Sequence, residues 1–206
     1  MNIVSNMRIG LIPLSAKPYH AGHHALVTMA SSENDTVRVF VSLTNRERTD
    51  EVPVKGAAMQ RVWAEHLSQI MPGNVEIEYG GSPVRKVYET LENADKAGSQ
   101  DTYTVYSDPE DTSINYPVKN RLRYFPRLHA EGLAVFAAEV NPEKFTRGVG
   151  TPDVSGTSLR AALGSGNLEE FTAGMPAGVD AAAIFDILRP KAVTEAVLRA
   201  LIRSIL

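Results

Sequence analysis

Five short apolar, β-rich runs recur along the chain, four of them separated by stretches with helical spacing, and this alternation leaves few folds open. Residues 8–14 read as a buried strand, 20–31 as a helix, and 37–43 as a second strand rich in β-branched and aromatic side chains. Residues 55–71 carry Ala58, Val62, Leu67 and Ile70 at helical spacing and stop at Pro72 and Gly73. Residues 75–79 alternate like a third strand, and 83–97 predict a helix with proline in its first turn. Residues 103–106 form a fourth strand and 133–138 a fifth. Strands that alternate with helices pair most readily in parallel, because each crossover helix folds back over the sheet. The expectation is therefore an α/β chain with a mostly parallel five-stranded sheet, helices on both faces and right-handed crossovers.

From Ser155 onward the pattern is helical, interrupted by Gly164, Gly166 and the turn Gly174, Met175, Pro176. Residues 179–206 predict two helices hinged at Pro190, a C-terminal helical extension. Its Val193, Val197, Leu198, Leu201, Ile202 and Ile205 form an apolar stripe. That stripe packs on the chain's own sheet or serves as a dimer contact, so a homo-oligomer stays open.

Composition removes several function classes. The formal net charge of -3 provides no overall positive field for a nucleic-acid backbone. The absence of cysteine excludes disulfide scaffolds, thiolate catalysis and cysteine zinc sites, and fits a reducing cytoplasm. The start lacks the charged-then-apolar order of a signal peptide, and no apolar run approaches the roughly 18 residues of a membrane span. A soluble, cytoplasmic protein without membrane partners is expected. With 206 residues, 43% of them hydrophobic, the chain is long enough to bury a substantial core.

The most informative segment runs from Ile12 through Leu14, Ser15, Ala16, Lys17, Pro18 and Tyr19 to His20, Ala21, Gly22, His23 and His24. It leads from a strand end into a helix start, where free N–H groups and the helix dipole favour phosphate. Gly22 allows close approach of a ligand to the backbone. His20 and His23 are three residues apart and face the same side of the first turn. Lys17 adds a mobile cation at the edge of the loop. Two histidines near a turn also suit a metal pair, but no third ligand is close in sequence.

A second segment, Val154, Ser155, Gly156, Thr157, Ser158, Leu159, Arg160, precedes a helix. Ser155 is a good N-cap, Gly156 leaves backbone amides open, and the Thr157 hydroxyl can meet a phosphate. Arg160, one turn on, can reach the same anion with its planar fork of donors. By itself this is also an ordinary capping sequence with a solvated arginine.

The order aromatic-His-Ala-Gly-His between strand and helix, followed far downstream by Ser-Gly-Thr-Ser-Leu-Arg, resembles the two signatures of the HxGH nucleotidyltransferase superfamily. That superfamily includes nicotinamide mononucleotide adenylyltransferases, phosphopantetheine adenylyltransferases and glycerol-phosphate cytidylyltransferases. The resemblance covers roughly residues 8–176 and is specific at its two ends, with Val154 standing where the second signature has isoleucine. It implies a Rossmann-like nucleotidyltransferase domain over residues 1–176 with a helical appendage over 177–206. It also implies catalytic roles for His20, His23, Lys17 and Arg160, and nucleotide binding by Leu14, Gly22, Ser155, Gly156 and Thr157. The substrates implied are a nucleoside triphosphate with Mg2+ and a small phosphorylated acceptor, and no protein metal ligand is assigned. Ser-Gly-Thr is closer to the adenylyl-transferring branches, so ATP and nicotinamide mononucleotide lead. A cytidylyltransferase acting on a polyol- or sugar-phosphate is the alternative, and a non-catalytic nucleotide-binding module is the alternative from another class.

Between the signatures, Arg46 and Arg48 are candidate acceptor contacts, or else a solvated loop balanced by Glu47 and Asp50. Asp108 follows strand four where relatives have Gly-x-Asp, but the glycine is missing here. It is an acceptor contact or a turn-forming aspartate before Pro109. Residues 111–124 are acidic, then basic and aromatic, and read as an acceptor lid. Trp63 is assigned to the core.

Overall fold

The computed structural model describes residues 6–189. Five strands form where the apolar runs fall: β1 (Arg8–Leu14), β2 (Thr36–Val41), β3 (Val75–Tyr79), β4 (Thr102–Val105) and β5 (Ala134–Phe136). They make one sheet in the order β3-β2-β1-β4-β5, with every neighbouring pair parallel. Ile12 lies beside Val39 and Val39 beside Ile77, while Leu11 pairs with Val105 and Val105 with Phe136. The chain thus starts at the centre, builds to one edge, then returns to the other flank of β1. That reversal places a topological switch point between β1 and β4, where a crevice opens beyond the strands' carboxyl ends.

The central strand β1 is apolar on both faces, as a helix-covered parallel strand requires, while edge strand β3 alternates apolar residues with Glu76 and Glu78. Successive residues point to opposite faces: Ile12 and Val39 enter one core with Val62, Trp63, Leu159 and Phe185, while Leu11 and Phe40 enter the other with Leu91, Tyr116, Phe125 and Phe136. The crossover helices are α1 (Ala21–Glu33), α2 (Gly56–Glu65) and α3 (Pro83–Lys96). After β4 come α4 (Pro109–Asn115), α5 (Val118–Tyr124) and α6 (Pro126–Ala130); after β5 come α7 (Ala137–Val140), α8 (Gly156–Ser165), α9 (Leu168–Ala173) and α10 (Ala181–Leu188).

Three details differ from the pattern read in the sequence. The helix expected over 55–71 ends at Glu65, and Leu67–Ile70 is a separate 3-10 turn. In an unbroken helix Leu67 would point about 140° away from Val62; the break at His66 returns it to the same core. Gly164 does not interrupt α8, which continues to Ser165 and ends at left-handed Gly166 (φ 74°). A Cβ on Gly164 would lie 2.7 Å from Val52 Cγ2, so the glycine makes room for the segment after β2 rather than breaking the helix. The fifth strand stops at Phe136, with Ala137 and Ala138 buried in the helical turn that follows.

Helix α10 buries Ile184, Phe185 and Leu188 in the core that holds Trp63, with Phe185 edge-on to Phe171 at 5.2 Å. The expected hinge at Pro190 and the stripe of Val193, Val197, Leu198, Leu201, Ile202 and Ile205 lie outside the described residues. Among the described residues no helix is long and apolar enough to cross a membrane.

Candidate functional site

The loop leaving β1 is held from below. Tyr19 is fully buried, its ring edge-on to Trp63 of α2 at 4.7 Å and stacked on His23 at 5.5 Å. Ala16 sits at φ 37°, a conformation costing a non-glycine residue on the order of 1 kcal/mol or more, and it is buried in the same core. Above this base, His20 takes the N-cap position of α1 with extended backbone, and its carbonyl accepts the first helical bond, from His24 N at 3.1 Å. The His20 and His23 rings stack with centroids 3.8 Å apart and planes 25° from parallel. The Nδ1 atoms of both are buried and have no partner among the described residues. Buried polar atoms are normally bonded, so two unpartnered nitrogens on adjacent rings suit a polar ligand.

Helix α1 offers further donors. The Ala21 N–H is taken by Gly174 O at 3.0 Å, but those of Gly22 and His23 belong to the first turn and have no intrahelical acceptor. Burial, with Arg147 and Arg160 nearby, lowers the His20 pKa to about 4. Burial, His20 and Arg147 lower that of His23 well below its ordinary value. At neutral pH both imidazoles are therefore uncharged, each with one N–H to donate.

These shifts have a consequence for stability. The unfolded chain takes up protons on its histidines near pH 6.5, whereas the folded chain resists protonation of His20 until about pH 4. The unfolded state binds more protons across this window, so stability is complete above pH 6.5 and declines as pH falls toward 4. Urea midpoints measured from pH 7.5 to 4.5 are expected to drop, with a shallower slope in His20→Gln. Identical slopes for the two proteins would contradict the buried neutral histidine.

The second motif forms the start of α8. Ser155 is its N-cap: the Ser158 N–H donates to Ser155 Oγ at 3.0 Å, and Ser155 N–H donates back to Ser158 Oγ at 3.3 Å. Ser155→Ala is expected to lower stability by about 1 kcal/mol in chemical denaturation; an unchanged midpoint would mean that this cap contributes nothing. Arg160, one turn later, is only 5% exposed. Its Nη1 donates to Lys17 O at 2.6 Å, and its Nη2 to Thr157 Oγ1 at 3.0 Å and Glu51 Oε1 at 3.1 Å. Gly156 admits this packing, because a Cβ there would lie 2.9 Å from Arg160 Nη1. The two motifs thus meet through Arg160 and Lys17 of the loop after β1, 143 residues apart.

That meeting changes several expected roles. Lys17 is not a mobile cation at the loop edge: it is 8% exposed, and its Nζ donates to Ser42 O at 3.1 Å and Ser15 O at 3.3 Å. Burial lowers its pKa. The Arg160 fork is engaged with protein acceptors, and the Thr157 hydroxyl is one of them. Arg46 is balanced by Glu51, at 3.0 Å, rather than by Glu47 or Asp50; Glu47 pairs with Lys55. The reason is a fold-back of the chain, in which Arg46 and Val54 exchange backbone hydrogen bonds of 2.9 Å and carry Glu51 toward α8. Side-chain hydrogen bonds from Arg46 and Arg160 hold the Glu51 carboxyl at about 2. Arg48 is exposed and does not line the cavity described next.

At the switch point between β1 and β4 lies a cavity of about 680 Å³, within the range of small-molecule sites. Leu14, His20, Gly22, His23, Asp108 and Arg147 line it. Its wall reaches the second motif at Val154, but Lys17, Arg46, Ser155, Gly156, Thr157 and Arg160 stand outside it. Asp108 has both features considered for it: it faces the cavity, and its carboxylate caps α4 by accepting from Asp111 N at 2.7 Å. Glu110 and Asp111 line the cavity beside it, and burial, with Asp108 and Glu110 nearby, raises the Asp111 pKa. Residues 111–124 form α4 and α5, fastened by buried Arg121. That arginine lies 3.7 Å above the Phe136 ring and donates to Glu139 Oε2 at 2.8 Å and Tyr116 O at 2.6 Å. Arg147 is the functional candidate that sequence reasoning missed; its only signal was a basic residue beside Gly148 and Gly150, shortly before the second motif.

Comparison of the chain with protein-family models gives no match, and comparison with curated proteins gives none either.

Proposed function

We propose that this chain is a nucleotidyltransferase that moves the nucleotidyl group of a nucleoside triphosphate, ATP in our reading, to a small phosphorylated acceptor such as nicotinamide mononucleotide, releasing pyrophosphate. One observation carries the reading: two stacked, uncharged imidazoles with unpartnered nitrogens line a nucleotide-sized cavity at the switch point, on the first turn of α1. Helix starts of this kind attract phosphate through free N–H groups and the helix dipole.

In this mechanism an acceptor phosphate oxygen attacks the α-phosphorus in line. The bond from the α-phosphorus to the bridging oxygen breaks, and pyrophosphate leaves with the electron pair. Catalysis then rests on positioning and on donors aimed where negative charge collects. His20 and His23 donate to the phosphate oxygens with the free amides of α1. Lys17 and Arg160 act from behind the loop, by fixed charge and by tying it to α8. Mg2+ brought in with the triphosphate would supply charge neutralisation on its phosphates. Among the described residues no three histidine or carboxylate side chains gather to hold a metal. Asp108 and Asp111, which line the cavity, would be the carboxylates available to an ion brought in with the triphosphate.

The test is pyrophosphate release with Mg2+, crossing ATP and CTP against nicotinamide mononucleotide, phosphopantetheine, glycerol phosphate and several sugar phosphates. Release with one donor–acceptor pair is expected, and the donor that works separates adenylyl from cytidylyl transfer. Nucleotide binding without release in any pair would sink the catalytic claim in favour of a binding module.

A further inference from the structure

We propose that Arg147 is the cation that grips the donor's phosphates, an assignment that rests on the nucleotidyl-transfer reading of the cavity. Of the other candidate cations, Arg48 stands outside the cavity, and Lys17, Arg46 and Arg160 are already engaged. Lys17 Nζ is bonded to two backbone carbonyls, Arg160 to Lys17 O, Thr157 and Glu51, and Arg46 to Glu51. Arg147 lines the cavity, is exposed, and has no hydrogen bond or ion pair from its side chain among the described residues.

Its placement is built rather than incidental. Phe145, 4% exposed, anchors the preceding 3-10 turn (Pro142–Phe145) and tilts against Tyr106 with centroids 6.1 Å apart. Beyond it the chain closes a tight loop. Thr146 O accepts from Val149 N at 3.1 Å and Gly150 N at 3.0 Å, and Gly148 N donates to Thr151 O at 2.8 Å. Gly148 sits at φ 75°, and a Cβ on Gly150 would lie 2.2 Å from Lys144 O, so both turns of this loop depend on glycine. The result is an arginine held at a fixed base in the lining of the same cavity as His20 and His23, close enough to disfavour protonation of both. The two rings beside it are neutral, and Asp108, Glu110 and Asp111, which also line the cavity, make no ion pair with it among the described residues. A polyphosphate supplies the anionic partner that this arginine lacks among the described residues and suits the bidentate guanidinium fork. A surface arginine without this role would be solvated and replaceable.

The experiment is titration calorimetry of the full chain with ATP, CTP and inorganic pyrophosphate, for wild type, Arg147→Gln and Arg147→Lys, with a melting curve for each. Arg147→Gln is expected to weaken triphosphate and pyrophosphate binding about 10- to 100-fold. Its melting temperature should stay unchanged, and Arg147→Lys should recover part of the loss. If wild type binds these ligands and Arg147→Gln binds them equally well, the arginine assignment is wrong while the nucleotide reading stands. If wild type binds none of them, the nucleotide reading fails and this assignment fails with it.

Discussion

His23→Ala is expected to slow pyrophosphate release about 100- to 1000-fold while the protein still folds, the effect of removing one well-placed transition-state donor. The structure explains why the two effects separate. His23 stands in the first turn of α1, where alanine is a good helix former, and its Nδ1 has no partner among the described residues to leave orphaned. What it loses is the stack on His20 and the packing on Tyr19, together with a donor facing the cavity. The deficit should fall mainly on kcat, because a group that acts on developing charge binds the transition state more tightly than the ground state. His24→Ala is the matched control: the His24 ring lies edge-on to Tyr19 and bonds its hydroxyl at 3.3 Å, and it is no part of the cavity lining, so its loss should change turnover little. Near-normal turnover by a correctly folded His23→Ala protein, judged by circular dichroism, would remove the imidazole pair from the mechanism.

The features that could be read in the sequence are those set by local chemistry. Buried parallel strands are apolar on both faces, so β1 and β2 stand out as runs even without a neighbour to pair with. The strand-to-helix loop carrying His20, Gly22 and His23 was legible for the same reason, since residue types suited to phosphate follow one another directly. What could not be read depends on contacts between distant segments. Nothing around Arg160 shows that Glu51 folds back to meet it, and nothing around Lys17 shows that its ammonium turns inward to Ser42. Free, exposed cations were assumed where tertiary pairing engages them. Gly164 was misread because a glycine inside a helix looks like a stop until Val52 is placed against it. Arg147 was overlooked for the opposite reason: its neighbours are ordinary turn residues, and only the closed loop brings it to the histidines.

Trp63→Ala is expected to lower stability by about 3–5 kcal/mol, the range for truncating a large buried aromatic ring. Trp63 is fully buried in α2, and it shares a core with Val62, Leu67, Leu159 and Ile184 that joins α2, α8 and α10 across one face of the sheet. Domains of this kind are stable by only about 5–15 kcal/mol, so the loss is a large share of the total. Trp63→Phe should cost much less. It keeps most of the ring, and the indole Nε1 has no partner among the described residues whose loss would leave a buried group unsatisfied. The damage should also reach the site, because Trp63 supports Tyr19 at 4.7 Å and Tyr19 lies against His23. Under conditions where Trp63→Ala remains folded, nucleotide binding should therefore weaken more than in Trp63→Phe. Urea denaturation with parallel calorimetric titration reads both effects. A stability loss below about 1 kcal/mol would show that the core closes over the gap, and unchanged binding would show that the histidine pair does not depend on the aromatic support beneath it.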